Sequence, residues 1–208
     1  MENGFMNGFS KIVDTVILGI LWLLCCIPVF TVGAASSGAY YAFHKSIRQD
    51  GGHVSKTFFK AFGSNFKQAT IIWMILLVFL ALSGFTCYML RMMGKSMPMA
   101  GYLASMGMVI IGCGVVWGIY LFPYLSRFEN TTGNVMKNSA VLAVAKAPWS
   151  LLLLLILAVC VVVTLYKPAL TIPVVAVYIW LSNRILESIF RTLMTEEALR
   201  SELELDGN

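Results

Sequence analysis

Residues able to do chemistry are few in this chain, and their spacing works against it. The run Gly33-Ala34-Ala35-Ser36-Ser37-Gly38 sets two serines in a loop of small residues, a setting that suits an intramembrane nucleophile. Such a nucleophile needs a general base beside it, usually histidine. The two histidines, His44 and His53, both follow that loop closely, and neither falls in a later apolar stretch. No dyad can be assembled from them unless the loop folds back into the membrane. The five cysteines (Cys25, Cys26, Cys87, Cys113 and Cys160) lie in apolar stretches without metal-ligand spacing and read as small buried hydrophobes. The sequence contains no Gly-rich nucleotide loop, chelating cluster or intramembrane aspartate pair. The expectation is no catalytic residue, no metal and no cofactor.

The elements that would carry these residues are membrane spans. The chain is 59% hydrophobic and 12% charged, against roughly 25% charged in a soluble domain. Charges are absent between Asp14 and His44, Lys67 and Arg91, Lys95 and Arg127, Lys146 and Lys167, and Lys167 and Arg184. A helix crosses the hydrocarbon core with about 20 apolar residues, and four of these windows supply that. In the fifth, Arg184 can snorkel to the interface while the apolar run resumes at Ile185. The sequence therefore predicts an all-α fold, a polytopic bundle of about five transmembrane helices over 13–33, 69–90, 99–122, 148–166 and 169–190. These form one integral membrane domain, 1–208, with cytoplasmic connections 34–68 and 123–147 and an acidic tail 191–208.

The leader resembles a cleavable signal poorly, because Glu2 and Asp14 outweigh Lys11. The positive-inside rule then sets orientation. With the N-terminus outside, eleven of the fifteen Lys and Arg residues fall on cytoplasmic segments. This predicts a multi-pass protein of the bacterial cytoplasmic membrane, N-terminus outside and C-terminus in the cytoplasm. The net charge of +5 then reports topology and contact with the lipid bilayer, not nucleic-acid binding.

Detail concentrates where spans break. Pro28 and Gly33 interrupt the first span, and the small residues after them admit two uses: tight helix packing, the plainer one, or a broken helix lining a cavity. In 53–69, Val54, Phe58, Phe59, Phe62, Phe66 and Ala69 share an arc of about 140° on a helix, opposite Lys56, Lys60 and Lys67. That pattern predicts a cytoplasmic amphipathic helix lying in the membrane interface, or a partner's docking surface. Pro123 ends the third span before Arg127, Glu129 and Asn130. The candidate interaction or hinge residues are thus Pro28, Gly33, Phe58, Phe62, Asn65, Phe66, Lys67, Pro123, Arg127, Glu129 and Asn130.

The strings Ile27-Pro28-Val29-Phe30-Thr31-Val32-Gly33-Ala34, Phe58-Phe59-Lys60-Ala61-Phe62 with Asn65-Phe66-Lys67-Gln68-Ala69-Thr70, and Phe122-Pro123 with Arg127-Phe128-Glu129-Asn130 resemble the YesL family of bacterial membrane proteins. The likeness is best over 9–148. Members often carry Asp at the position of Glu129 and Thr-Thr-Ala at Ser36-Ser37-Gly38. The family's activity is not established. The resemblance implies association with carbohydrate uptake, with the permease of an ABC importer or a sensor kinase as partner, and it is compatible with an oligomer.

Function then divides between two readings. A coupled transporter shows ionisable groups within its spans, whereas here Asp14, Arg184 and Glu187 fall only at span ends. A non-catalytic accessory or regulatory protein, acting by contact, needs none and fits better. The alternative is a small independent transporter with a cavity near Pro28 and Gly33. A polar-lined cavity at that break would favour transport, and a solid core would favour an interaction protein.

Overall fold

A computed structural model describes residues 2–48, 53–94, 97–128 and 130–192. The chain forms α1 (Glu2–Cys26), α2 (Val32–Ala42), α3 (Val54–Met93), α4 (Pro98–Arg127), α5 (Thr132–Ala145), α6 (Ala147–Tyr166) and α7 (Thr171–Arg191). A 3-10 turn, Val29–Thr31, joins α1 to α2, and a π-helical turn, Phe43–Arg48, extends α2. No strand occurs among the described residues. Four helices, α3, α4, α6 and the last one with its preceding turn, are long and apolar enough to cross a membrane. Few of their apolar side chains are covered by the chain itself, which is how a helix meant for lipid contact is built. The molecule is a helical membrane bundle.

The first expected span, 13–33, is not one crossing. Pro28 lacks the N–H that would continue α1, and the chain reverses over 27–31. Helix α2 then runs back along α1. Near the turn the Trp22 indole N–H donates to Ser36 Oγ at 3.2 Å, while farther from it Lys11, Thr15, Phe43 and His44 line one cleft. Lys11 and His44 therefore sit at the same end of the bundle, where a straight span would have separated them. Backbone carbonyls freed by such a reversal must be satisfied locally if the tip is to rest among apolar groups. Thr31 Oγ1 donates to the carbonyls of Cys25 and Pro28, and the Trp73 indole reaches Val29 O at 2.6 Å.

Segment 53–69 also differs from expectation. It is the opening part of α3, which has 40 residues and is about 60 Å long against a hydrocarbon core of about 30 Å. The anticipated phenylalanine arc exists, but α2 covers it, so it is no free interfacial face. Phe58 is fully buried, Phe62 stacks on it at 6.0 Å, and Phe66 follows at 5.4 Å. Gly38 of α2 permits this contact, since a Cβ there would lie 3.3 Å from Phe58 O and Phe62 N. Gly33 is tighter, for its Cβ would meet Ala69 O, Trp73 Cβ and Phe122 Cε1 at 2.7 Å each. The same device seats α4 on α3 in antiparallel order: Gly118 faces Leu76, Gly114 faces Phe79 and Leu80, and Gly107 faces the Cys87 thiol.

Two further boundaries move. Helix α4 continues through buried Pro123 to Arg127 instead of stopping at residue 122, and most of the following connection is the helix α5. Of the cysteines, Cys87 alone is buried; Cys25, Cys26 and Cys160 are half-buried and Cys113 is exposed, all as free thiols. The acidic tail beyond Thr192 and the candidate Glu129 lie outside the described residues.

Candidate functional site: an ionic clamp between two cavities

Three helix ends converge where α2, α4 and α7 finish. Tyr40 and His44 are four residues apart and so share a face where α2 passes into the π-helical turn. Arg127 is the last residue of α4. Asn183, Glu187 and Arg191 repeat at four-residue intervals along the end of α7.

Glu187 is the centre, only 2% exposed. Its Oε2 accepts the Tyr40 hydroxyl at 2.7 Å, and its Oε1 accepts Arg127 Nη2 at 3.1 Å. Arg191 Nε stands 3.8 Å from Oε1, and His44 Nδ1 stands 3.6 Å from Oε2. Arg127 Nη1 is 2.7 Å from His44 Nε2. A guanidinium only donates, so Nε2 is the acceptor and the imidazole proton rests on Nδ1, on the side of Glu187. A carboxylate buried this deeply is tolerated because cations and a hydroxyl occupy both of its oxygens. Around it, Tyr40, Tyr124, Phe128 and Phe190 pack edge to face or tilted, with centroids 4.7 to 6.2 Å apart.

Two cavities flank the clamp. One, about 510 Å³, lies within the apolar part of the bundle, bounded by Trp22, Val32, Ser36, Trp73, Leu80 and Tyr178 among others. Its walls are almost wholly aliphatic and aromatic. The other, a cleft of about 840 Å³, opens between α1, the π-helical turn and α7, and the clamp's Glu187, His44 and Arg191 reach it. Asn183 borders both. Its Nδ2 donates to Ile179 O at 2.8 Å, while its buried Oδ1 has no hydrogen-bond partner among the described residues.

Of the residues singled out from sequence, Arg127 belongs to the clamp. Gly33, Phe58, Phe62 and Phe66 serve helix packing, and Pro28 makes the reversal. Asn65 Nδ2 donates to Ser37 Oγ at 3.2 Å, Lys67 is exposed, and Asn130 O accepts Gln68 Nε2 at 2.9 Å. The two serines stand not in a loop but in α2, which does fold back along α1, yet Ser36 and Ser37 are engaged by Trp22 and Asn65, and His44 by Arg127. Sequence reasoning overlooked Tyr40, His44, Asn183, Glu187 and Arg191 as a group. The four-residue spacing of Asn183, Glu187 and Arg191 in the last helix was the signal available. Among the described residues, no three His, Cys, Asp or Glu side chains gather closely enough to hold a metal ion.

A family model described as "Protein of unknown function, DUF624" matches residues 15–85, which cover most of the α1–α2 hairpin and of α3. The chain is similar to that uncharacterised family over this part. No curated protein and no solved structure matches it.

Proposed function

We propose that the chain is a YesL-type, non-catalytic accessory or regulatory subunit of a membrane assembly, working beside a carbohydrate ABC importer. The observation that carries this reading is how its buried charges are used. Glu187 and Arg127 pair, and the His44 imidazole stands against both, so that three helix ends are tied together. The cavity at the level of the Pro28–Gly33 break is apolar, and Gly33 itself is packed shut. A passage for a sugar would need polar groups along its wall; a clamp that sets the relative position of helix ends suits a protein that acts by contact.

Orientation belongs to the same proposal. Because the hairpin brings Lys11 to the end that carries His44 and Arg127, eleven of the thirteen Lys and Arg among the described residues fall on one face. By the positive-inside rule that face is cytoplasmic, and both ends of the described chain lie there. An importer's permease meets its ATPase on that face, so the clamp is placed to favour one conformation of a neighbour over another. Such bias requires differential contact with the two states.

Purification in mild detergent should recover a permease or sensor kinase in stoichiometric amount, and deletion should change uptake or sensing of a particular glycan. A purified chain that moves a sugar across liposomes unaided would overturn the proposal in favour of independent transport. The apolar cavity gives that alternative its one foothold, for a cargo as apolar as its walls.

A further inference from the structure

We propose that the apolar cavity bounded by α1, α2, α3, α4, α6 and α7 is a binding site for a single-chain, uncharged amphiphile, a hydrocarbon body with one oxygen function at its head. Its volume of about 510 Å³ falls within the range of small-molecule sites, which are mostly apolar with a few polar groups that fix orientation. Among the described residues that line it, none is charged. An ionised ligand would lose its hydration there with nothing to replace it, so the occupant is neutral. Val161 and Leu165 of α6 line the cavity and are exposed, so a chain can enter from the membrane plane.

The hydrogen bonds of the wall decide the head. Ser36 Oγ accepts from the Trp22 indole, and Tyr40 donates to Glu187. Thr164 and Ser182 donate to carbonyls of their own helices, Cys160 O and Ile179 O. Asn183 Nδ2 does the same, and its Oδ1 is sealed in. Tyr178 differs. Its side chain is half-buried against the cavity, and its hydroxyl makes no hydrogen bond among the described residues and is not sealed in. A buried water needs about three polar partners, and with its neighbours engaged this phenol gives a water one. A hydroxyl or carbonyl carried on a hydrocarbon gains the same hydrogen bond and fills the apolar space besides.

The test uses the full chain in phosphatidylcholine nanodiscs and a hexadecanol carrying a photoreactive diazirine in mid-chain, with the labelled residues located by peptide mass spectrometry. Labelling should saturate against the surrounding lipid and fall on cavity residues such as Trp73 and Leu157. Unlabelled hexadecanol should displace it, and hexadecyl sulfate and hexadecyltrimethylammonium should not. Hexadecane, which lacks the oxygen, should compete about fivefold less well than the alcohol, the worth of one hydrogen bond. Tyr178→Phe should erase that difference by weakening the alcohol alone, and should leave the thermal stability of the ligand-free protein unchanged, because the hydroxyl it removes bonds nothing within the described chain. Val161→Trp narrows the cavity without touching the phenol; it should weaken alcohol and alkane alike while the protein keeps its elution profile. Labelling that does not saturate would mean that bilayer chains fill the cavity and would overturn the site. Equal competition by alkane and alcohol in the unaltered chain, or an alcohol preference that survives Tyr178→Phe, would overturn the assignment of the head. Displacement by either charged amphiphile as strong as by the alcohol would overturn the neutral occupant.

Discussion

Replacing Glu187 with alanine is the sharpest probe of the clamp. The side chain is 3% exposed, and its partners Arg127 and Arg191 are 13% and 26% exposed. Removing one member of a buried ion pair costs about 3–5 kcal/mol, because the charge left behind has no compensation. Arg191 can turn to water at the rim, whereas Arg127 and the Tyr40 hydroxyl each lose a buried acceptor. The lower end of that range, about 3 kcal/mol, is therefore expected for Glu187→Ala. Glu187→Gln keeps a carbonyl acceptor and should cost about half as much. In a cycle with Arg127→Ala, the double variant should be less unstable than the sum of the singles by about 1–2 kcal/mol, since both remove the same contact. Unfolding followed by intrinsic fluorescence during an SDS titration of mixed micelles measures each value. A loss below about 1 kcal/mol for Glu187→Ala, or strict additivity in the cycle, would refute the clamp as a stabilising unit.

Three other perturbations probe the rest of the bundle. In a background lacking native cysteines, Ser10→Cys and Asn134→Cys should both resist an impermeant thiol reagent in intact cells, while Lys167→Cys should react; labelling of Ser10→Cys would return the N-terminal segment to the outside. Gly33→Ala should destabilise by about 1–3 kcal/mol, because its methyl would meet Ala69 O, a backbone atom that cannot step aside; unaltered unfolding would mean that α2 and α3 are farther apart than described. Phe58→Ala should cost about 3–5 kcal/mol as a fully buried side chain, and Phe59→Ala, half exposed, far less; equal losses would show that the arc is not turned towards α2.

The membrane character of the fold was legible because it depends on local composition, and hydrocarbon imposes that composition on each span separately. The periodicity of Phe58, Phe62 and Phe66 marked one apolar face, expected to meet the membrane interface or a partner, whereas the chain itself buries it. It could not say what buries it, because the covering groups are the small residues of α2. A run of Ala, Ser and Gly has no polarity pattern to reveal its orientation. The reversal at Pro28 was hidden for a related reason: a span and a hairpin of equal apolarity have the same hydropathy, and only contacts such as Trp22 with Ser36 separate them. The clamp was harder still. Tyr40 and Glu187 stand 147 positions apart, and each alone reads as an ordinary residue near a helix end. Arg127 was noticed for its place beside Pro123, not for its partners.

The hairpin also bears on how the chain enters a membrane as it is made. An ordinary pair of spans must carry a polar loop across the hydrocarbon, and charged residues at the centre of the bilayer are costly. Here nothing from Thr15 to Phe43 bears a charge, and the tip residues Ile27, Val29 and Phe30 are exposed and apolar. The carbonyls that the bend releases are already capped from within by Thr31. The α1–α2 unit can therefore slip in from the side where both its ends remain, as a preformed wedge that moves no charge across. Helix α3, arriving later with Trp73 to hold Val29, would then lock the wedge at its depth.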